Sequence, residues 1–230
     1  MKNLDFDDNK EINLILCKKC YQNGEYIIPF YQINKENHNL EFKCSRYHIL
    51  NEVELLRIKN DEEIKTKIIK CRKDHEGNVF CGWCDECKKN ICFLCISGEM
   101  KKKHKYILFM EIMPEEKFKI IYDSQMKKLE SLLNRYTFYC PYLHGEINQL
   151  SQLIGCFKAT FNLYYYAKYF SYQIINNIKL IISDLDIITN PLETKFHEYQ
   201  YLYFFSHLLK RNNKNKMNQI NKIDRKIKKK

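Results

Sequence analysis

Cysteine and histidine recur in this chain at spacings that suit metal coordination. Cys17-Lys-Lys-Cys20 is followed by Cys44-Ser-Arg-Tyr-His48. Two residues between thiolates form a tight turn that presents both sulfurs to one ion, and a second pair completes a tetrahedron. The 23 residues between Cys20 and Cys44 are long enough to form a hairpin that brings the pairs together. A denser series comes next: Cys71 and His75, Cys84 and Cys87, Cys92 and Cys95, then His104. Only four residues separate the two CxxC pairs of this series, too few for both to wrap one ion comfortably. Interleaving resolves this, with the first and third pairs on one ion and the second and last ligands on another. Each ion then cross-links distant parts of a segment too short for its own apolar core. The chain has eleven cysteines. Its first residues carry acids early and no apolar segment, so a secretory signal and a disulfide framework are not expected. Zinc is the expected metal, at two or three ions per chain.

The span from Cys71 to about Met110 resembles a B-box zinc finger of the tripartite-motif type. The resemblance covers about forty residues. The helical stretch beyond it matches the coiled coil that usually follows such a finger. It implies one zinc on Cys71, His75, Cys92 and Cys95, and a second on Cys84, Cys87 and His104. Two features depart from the family pattern. The first pair is CxxxH rather than CxxH, and Lys101 stands where a closing histidine is expected. The second zinc therefore has three matched ligands, with Cys81, Glu99 or water as the alternatives for the fourth.

Tripartite-motif proteins place a RING finger before the B-box, which would imply a ubiquitin ligase. Cys17, Cys20, Cys44 and His48 begin in that way, but 22 residues separate His48 from Cys71 where a RING needs another CxxC at once. The first set instead reads as a single-zinc, ribbon-like module. No P-loop, GxGxxG, HExxH or GxSxG is present in the sequence, and a hydrolytic zinc would want an open position beside an acid. The reading is of a protein without catalytic activity. Cys140 and His144 have no CxxC partner nearby and read as a chance pair, and Cys156 reads as a buried thiol.

These ligands need elements to carry them. Tyr26-Ile27-Ile28 and Asn39 to Lys43 are expected to pair as a hairpin. Leu50 to Lys70 suits a short helix followed by a strand at Ile68-Ile69. Pro114 with Glu115 and Glu116 makes a favourable helical first turn. Phe118, Ile121, Tyr122, Leu129, Leu132 and Tyr136 then follow helical spacing. Pro141 ends that helix. Ile147, Leu150, Ile154, Phe157, Phe161 and Tyr164 alternate by three and four, a heptad-like stripe. Ile174, Ile178, Ile181 and Leu185 continue the pattern until Pro191 breaks it. The expected fold class is therefore small zinc-stabilised α+β modules followed by an all-α helical hairpin or coiled-coil region and a basic disordered tail. The divisions are 13–60 for the ribbon-like module, 68–110 for the B-box-like finger, 114–207 for the helices and 208–230 for the tail.

The net charge is +11 over 230 residues. Leu208 to Lys230 holds ten Lys/Arg and one acid, Asp224, which leaves 29 basic against 27 acidic residues before it. The body is thus nearly neutral, unlike a nucleic-acid binder that carries its charge on a folded face. No run of 18 apolar residues occurs, so no transmembrane segment is expected. The function these features favour is a non-catalytic, intracellular protein-interaction scaffold in the cytoplasm or nucleus. Its partner proteins are unspecified, and helices 114–190 offer a route to a homodimer. A tripartite-motif-type ligase component or adaptor is one alternative. Nucleic-acid binding through the tail and zinc modules is the other. Lys226 to Lys230 also suits a nuclear-targeting signal.

Overall fold

The computed structural model describes residues 13–50, 54–59, 61–71, 75, 77–101, 103–141 and 143–227. The amino-terminal residues, the last residues of the basic tail and the side chain of Glu99 lie outside the described set. Among the described residues the fold combines three small sheets with eight helices.

The first described element is β1 (Asn13–Cys17), whose Leu14, Ile15, Leu16 and Cys17 are all buried. A continuous apolar run of this kind suits a strand covered on both faces. It passes directly into the one-turn helix α1 (Lys18–Gln22). Strands β2 (Phe30–Ile33), β3 (Leu40–Lys43) and β4 (Ile49–Leu50) then form an antiparallel sheet. The first strand of the expected hairpin lies at Phe30–Ile33 rather than Tyr26–Ile28. Pro29 has no N–H to donate to a ladder, and the strand begins just after it. Strand β5 (Leu55–Lys59) returns to pair antiparallel with β1, from Asn13 opposite Lys59 to Cys17 opposite Leu55.

Helix α2 (Glu62–Ile69) takes in Ile68 and Ile69, which the sequence reading had placed in a strand. Its start explains the outcome. The Asp61 carboxylate accepts from the Ile64 N–H at 2.7 Å, and Glu62 and Glu63 occupy the first turn. Next come β6 (Phe80–Cys84), β7 (Lys89–Cys92), helix α3 (Phe93–Lys101), β8 (Tyr106–Leu108) and the short helix α4 (Phe109–Ile112). The three strands form an antiparallel sheet in the order β7-β6-β8.

Four long helices complete the chain: α5 (Lys117–Tyr139), α6 (His144–Tyr165), α7 (Tyr172–Ser183) and α8 (Leu185–Ile227). The stripe Leu150, Ile154, Phe157, Phe161 and Tyr164 is buried, but so are Leu153, Cys156, Thr160 and Leu163 on the same helix. Helix α6 is therefore enclosed by its own chain, against β1, α5 and α7. The heptad-like stripe is buried in the chain's own core.

Two expectations about the carboxyl-terminal part are corrected. The break after the third helical stretch falls at Asp184, and Pro191 lies inside α8. Leu192 and Phe196, beyond the proline, are buried against the bundle, so packing keeps the helix continuous there. The basic tail is not irregular: α8 runs through it to Ile227. Lys, Arg, Gln and Met favour the helix there, while Asn212, Asn213, Asn215, Asn218, Asn221 and Asp224 work against it, so the segment is a continuation of a helix already nucleated by packed turns.

One core cluster unites the first module with the helices. It includes Leu14, Leu16, Tyr31, Phe42 and Leu50 together with Leu129, Leu132, Phe157, Ile174 and Ile178. Polar pairing pins the contact. Asn177 on α7 accepts from the Tyr31 N–H at 2.8 Å and donates to the Pro29 carbonyl at 2.9 Å. The Tyr31 hydroxyl lies 2.7 Å from the Thr160 hydroxyl and donates to the Cys156 carbonyl at 3.2 Å. All of these groups are buried, where an unpaired partner would be costly. The second module docks through Trp83, which stacks on Tyr172 at 4.8 Å and meets Phe30 edge-on at 5.7 Å. Beside it, Asn90 accepts from the Tyr172 N–H at 3.0 Å and donates to Gln173 at 2.9 Å.

Candidate metal centres

The described Cys and His side chains gather into three groups whose donor atoms lie within 4.8 Å of one another. Bond lengths of about 2.3 Å to sulfur and about 2.05 Å to nitrogen define a tetrahedron with edges of about 3.8 Å (S to S) and about 3.6 Å (S to N). These edges are the test each group must meet.

The first group is Cys17, Cys20, Cys44 and His48. Cys17 ends β1, Cys20 lies one turn on in α1, and Gly24 turns the chain back at φ +76°. Cys44 follows β3, and its N–H donates to the His48 carbonyl at 3.0 Å around a turn in which Tyr47 adopts φ +64°. Cys20 Sγ lies 3.7 Å from Cys44 Sγ and 3.4 Å from His48 Nδ1, and Cys17 Sγ lies 3.5 Å from the same nitrogen. All three sulfurs are buried. Burial raises the Cys17 and Cys20 thiols above their ordinary values. The Arg46 guanidinium pairs with Glu25, linking the two ligand-bearing turns.

The second group is Cys71, His75, Cys92 and Cys95. Cys71 follows α2, and its N–H donates to the Asn78 carbonyl at 2.8 Å, closing the loop that carries His75. Cys92 ends β7 and Cys95 sits in the first turn of α3. A strand running straight into a helix thus carries the CxxC pair, as it does at Cys17 and Cys20. Cys95 Sγ lies 3.7 Å from Cys71 Sγ, 3.6 Å from Cys92 Sγ and 3.2 Å from His75 Nδ1. Cys92 Sγ is 3.5 Å from His75 Nδ1. Burial pushes the Cys95 thiol up to about 12. Burial acts the same way on Cys92, but hydrogen bonds from the Cys95 N–H and thiol, the Leu94 N–H and the Cys71 thiol together outweigh it, and the net shift is downward.

The third group is Cys84, Cys87 and His104. Cys84 ends β6, Cys87 lies in the turn to β7 that closes at Lys88 with φ +50°, and His104 follows Lys103 at φ +61°. His104 Nδ1 lies 3.6 Å from Cys84 Sγ and 3.3 Å from Cys87 Sγ. Backbone pairing fixes both sides, with the Asp85 N–H donating to the Lys105 carbonyl at 3.1 Å and Cys84 opposite Tyr106. Glu86 went unnoticed in the sequence. Its Oε2 accepts from the Lys105 N–H at 2.8 Å and lies 3.8 Å from Cys84 Sγ. The Lys105 N–H lowers the Glu86 carboxyl below its ordinary value. An acid inside a CxxC turn was the available signal.

Cys81 does not join this group. The strand register shifts between Phe80 and Gly82, so Cys81 sits at an irregularity and packs against the small cluster of Ile91 and Ile96. Burial, followed by the nearby Cys92, raises its thiol. Cys140 and Cys156 are buried in the helical core, and His144 begins α6. None of the three belongs to a donor group among the described residues.

The donor spacings of all three groups fit the edges set out above, and thiolate–imidazole sets of this kind suit zinc. The first and second groups are complete at four donors and leave a bound ion no open position. The chain matches no protein-family model, no curated protein and no solved structure. No described helix is long and apolar enough to cross a membrane.

Proposed function

We propose that this chain is a non-catalytic, zinc-stabilised scaffold for protein interaction. A ribbon-like first module and a B-box-like second module are held on a helical body. The carrying observation is that two complete Cys₃His sets come together at tetrahedral spacing. Such filled sets stabilise folds and leave no coordination position for substrate. In this reading the zinc ions fix the ligand-bearing turns next to the left-handed residues Gly24, Tyr47, Gly77 and Lys88. Rigid loops on a packed body present a preorganised surface, which lowers the ordering cost of binding a partner.

The test is metal content per chain by elemental analysis on protein purified without added zinc, with mass by light scattering. About three zinc ions per chain are expected from three donor groups. Absence of metal together with oxidised thiols would overturn the reading.

A further inference from the structure

We infer that a cleft on the helical body receives the carboxyl-terminal residue of a partner chain, with its carboxylate on Arg57, its backbone N–H on Gln152 and a large apolar side chain in the cavity. The inference deepens the scaffold reading by naming a class of partner. It rests on the interaction half of that reading and not on its metal.

The cleft lies between strands β3 and β5 on one side and helices α6 and α8 on the other, with a volume of about 480 Å³. That falls within the roughly 300–1,000 Å³ usual for ligand sites. Its wall is largely apolar, formed by Phe42, Leu55, Leu153, Ile188 and Leu192. Two polar groups matter here. Arg57 is the only charged side chain among the described lining residues, and no described acid pairs with it. Its guanidinium crosses from β5 to α6, where Nη1 and Nη2 lie 3.5 and 3.6 Å from the position a Cβ on Gly155 would take. The second group is the Gln152 carboxamide, three residues before Gly155 on α6. Its Oε1 is buried and has no hydrogen-bond partner. Gln149, one turn earlier, is already bonded to Asn39 at 2.8 Å. A buried acceptor left unpaired is unfavourable, so a donor delivered there is a gain.

Each group selects a part of the ligand. A guanidinium fork matches a carboxylate through two parallel hydrogen bonds. One cation balances one negative charge, whereas a phosphate would bring close to two. The Gln152 oxygen calls for a donor, which a fatty carboxylate lacks. Helix positions three apart are about 5–6 Å from each other, a span that the carboxylate and N–H of one residue can bridge. The apolar wall takes the side chain borne by the carbon between them. A carboxyl-terminal apolar residue carries all three groups on one carbon. Binding moves no proton, since carboxylate and guanidinium are both ionised at neutral pH.

The experiment titrates the full chain by isothermal calorimetry, with zinc counted in the same sample. The probes are an acetylated tripeptide ending in leucine with a free carboxylate, the same peptide with a carboxyl-terminal amide, and decanoate. Saturable binding of the free acid at a single site is expected. The amide should bind about tenfold more weakly or worse, because it loses the charge-assisted pair. Arg57→Gln should weaken the free acid to a similar degree. Arg57 is exposed, so the fold should survive, and far-UV circular dichroism checks that it does. Gln152→Leu should weaken the peptide severalfold and leave decanoate unaffected. Equal binding of acid and amide overturns the inference without recourse to a variant. Decanoate binding as tightly as the peptide overturns it in favour of a lipid carboxylate. No binding by a sample with its full zinc content overturns it and leaves the metal reading standing. Binding of the free acid by a metal-free sample upholds it and overturns the zinc reading alone.

Discussion

Cys20 is 1 % exposed and meets both Cys44 and His48. Cys20→Ala is expected to remove one zinc per chain and to destabilise the fold by more than ~3 kcal/mol, since metal binding on the order of 10 kcal/mol is coupled to folding. Elemental analysis and urea unfolding would check both effects. Asn177 provides a contrast, because it acts without touching a ligand. Asn177→Leu leaves the Tyr31 N–H and the Pro29 carbonyl unpaired in the core. A loss of about 2–4 kcal/mol is expected from two buried unsatisfied groups, with zinc content unchanged. Unchanged stability in that variant would mean that the first module does not dock on α7 as described.

At the level of elements, the sheet β7-β6-β8 depends on a close approach at Gly82. A Cβ there would lie 2.9 Å from the Ile107 carbonyl oxygen, which belongs to backbone and cannot swing away. Gly82→Ala should therefore push β8 off β6, at a cost of about 1–3 kcal/mol for overpacking. His104 is delivered by the segment leading into β8, so the same variant should weaken metal binding at the third centre more than at the other two. Metal titration with a colorimetric chelator would separate the classes. Helix α2 has its own determinant in Asp61. Asp61→Ala is expected to cost about 0.5–2 kcal/mol through loss of the cap, readable as a lower urea midpoint at unchanged slope.

Across the whole molecule, the three Cys/His groups lie in the strand-rich part of the chain, and the long helices pack through apolar side chains. The single tryptophan, Trp83, is 2 % exposed and stacked on Tyr172 at the junction between them. Chelation at neutral pH should red-shift its fluorescence as the second module loosens. Most far-UV helical signal should remain, because α5, α6, α7 and the first part of α8 pack through Leu129, Leu132, Phe157, Ile174, Ile178 and Phe196. Complete loss of helix on chelation would show that the bundle has no stability of its own. The charge is divided as well. Removing 208–230 takes away a net +9 and leaves a body at +2. That truncation should abolish salt-sensitive retention on heparin, since such binding scales with the cations engaged. It should change thermal stability little, because among the described residues of α8 the last buried side chain is Phe196 and the last packed on the core is Tyr199.

The sequence by itself determined the donor sets. Ligand type and spacing are local properties, and CxxC turns admit few geometries, so Cys17, Cys20, Cys44 and His48 could be grouped before any fold was known. The same holds for the interleaved assignment of Cys71, His75, Cys92 and Cys95 apart from Cys84, Cys87 and His104. Helical periodicity located α5, α6 and α7 for a similar reason, since a 3.6-residue repeat is written along one segment. Tertiary structure decided what each apolar stripe faces. The heptad-like pattern of α6 shows only that one face is apolar, and in the fold β1, α5, α7 and Tyr31 cover it from within the chain. It also decided that Cys81 stays out of the third centre, through a strand irregularity that leaves no trace in spacing. At Pro191, burial of Leu192 and Phe196 outweighs the local breaking signal, and the basic segment continues a helix that packed turns have already started.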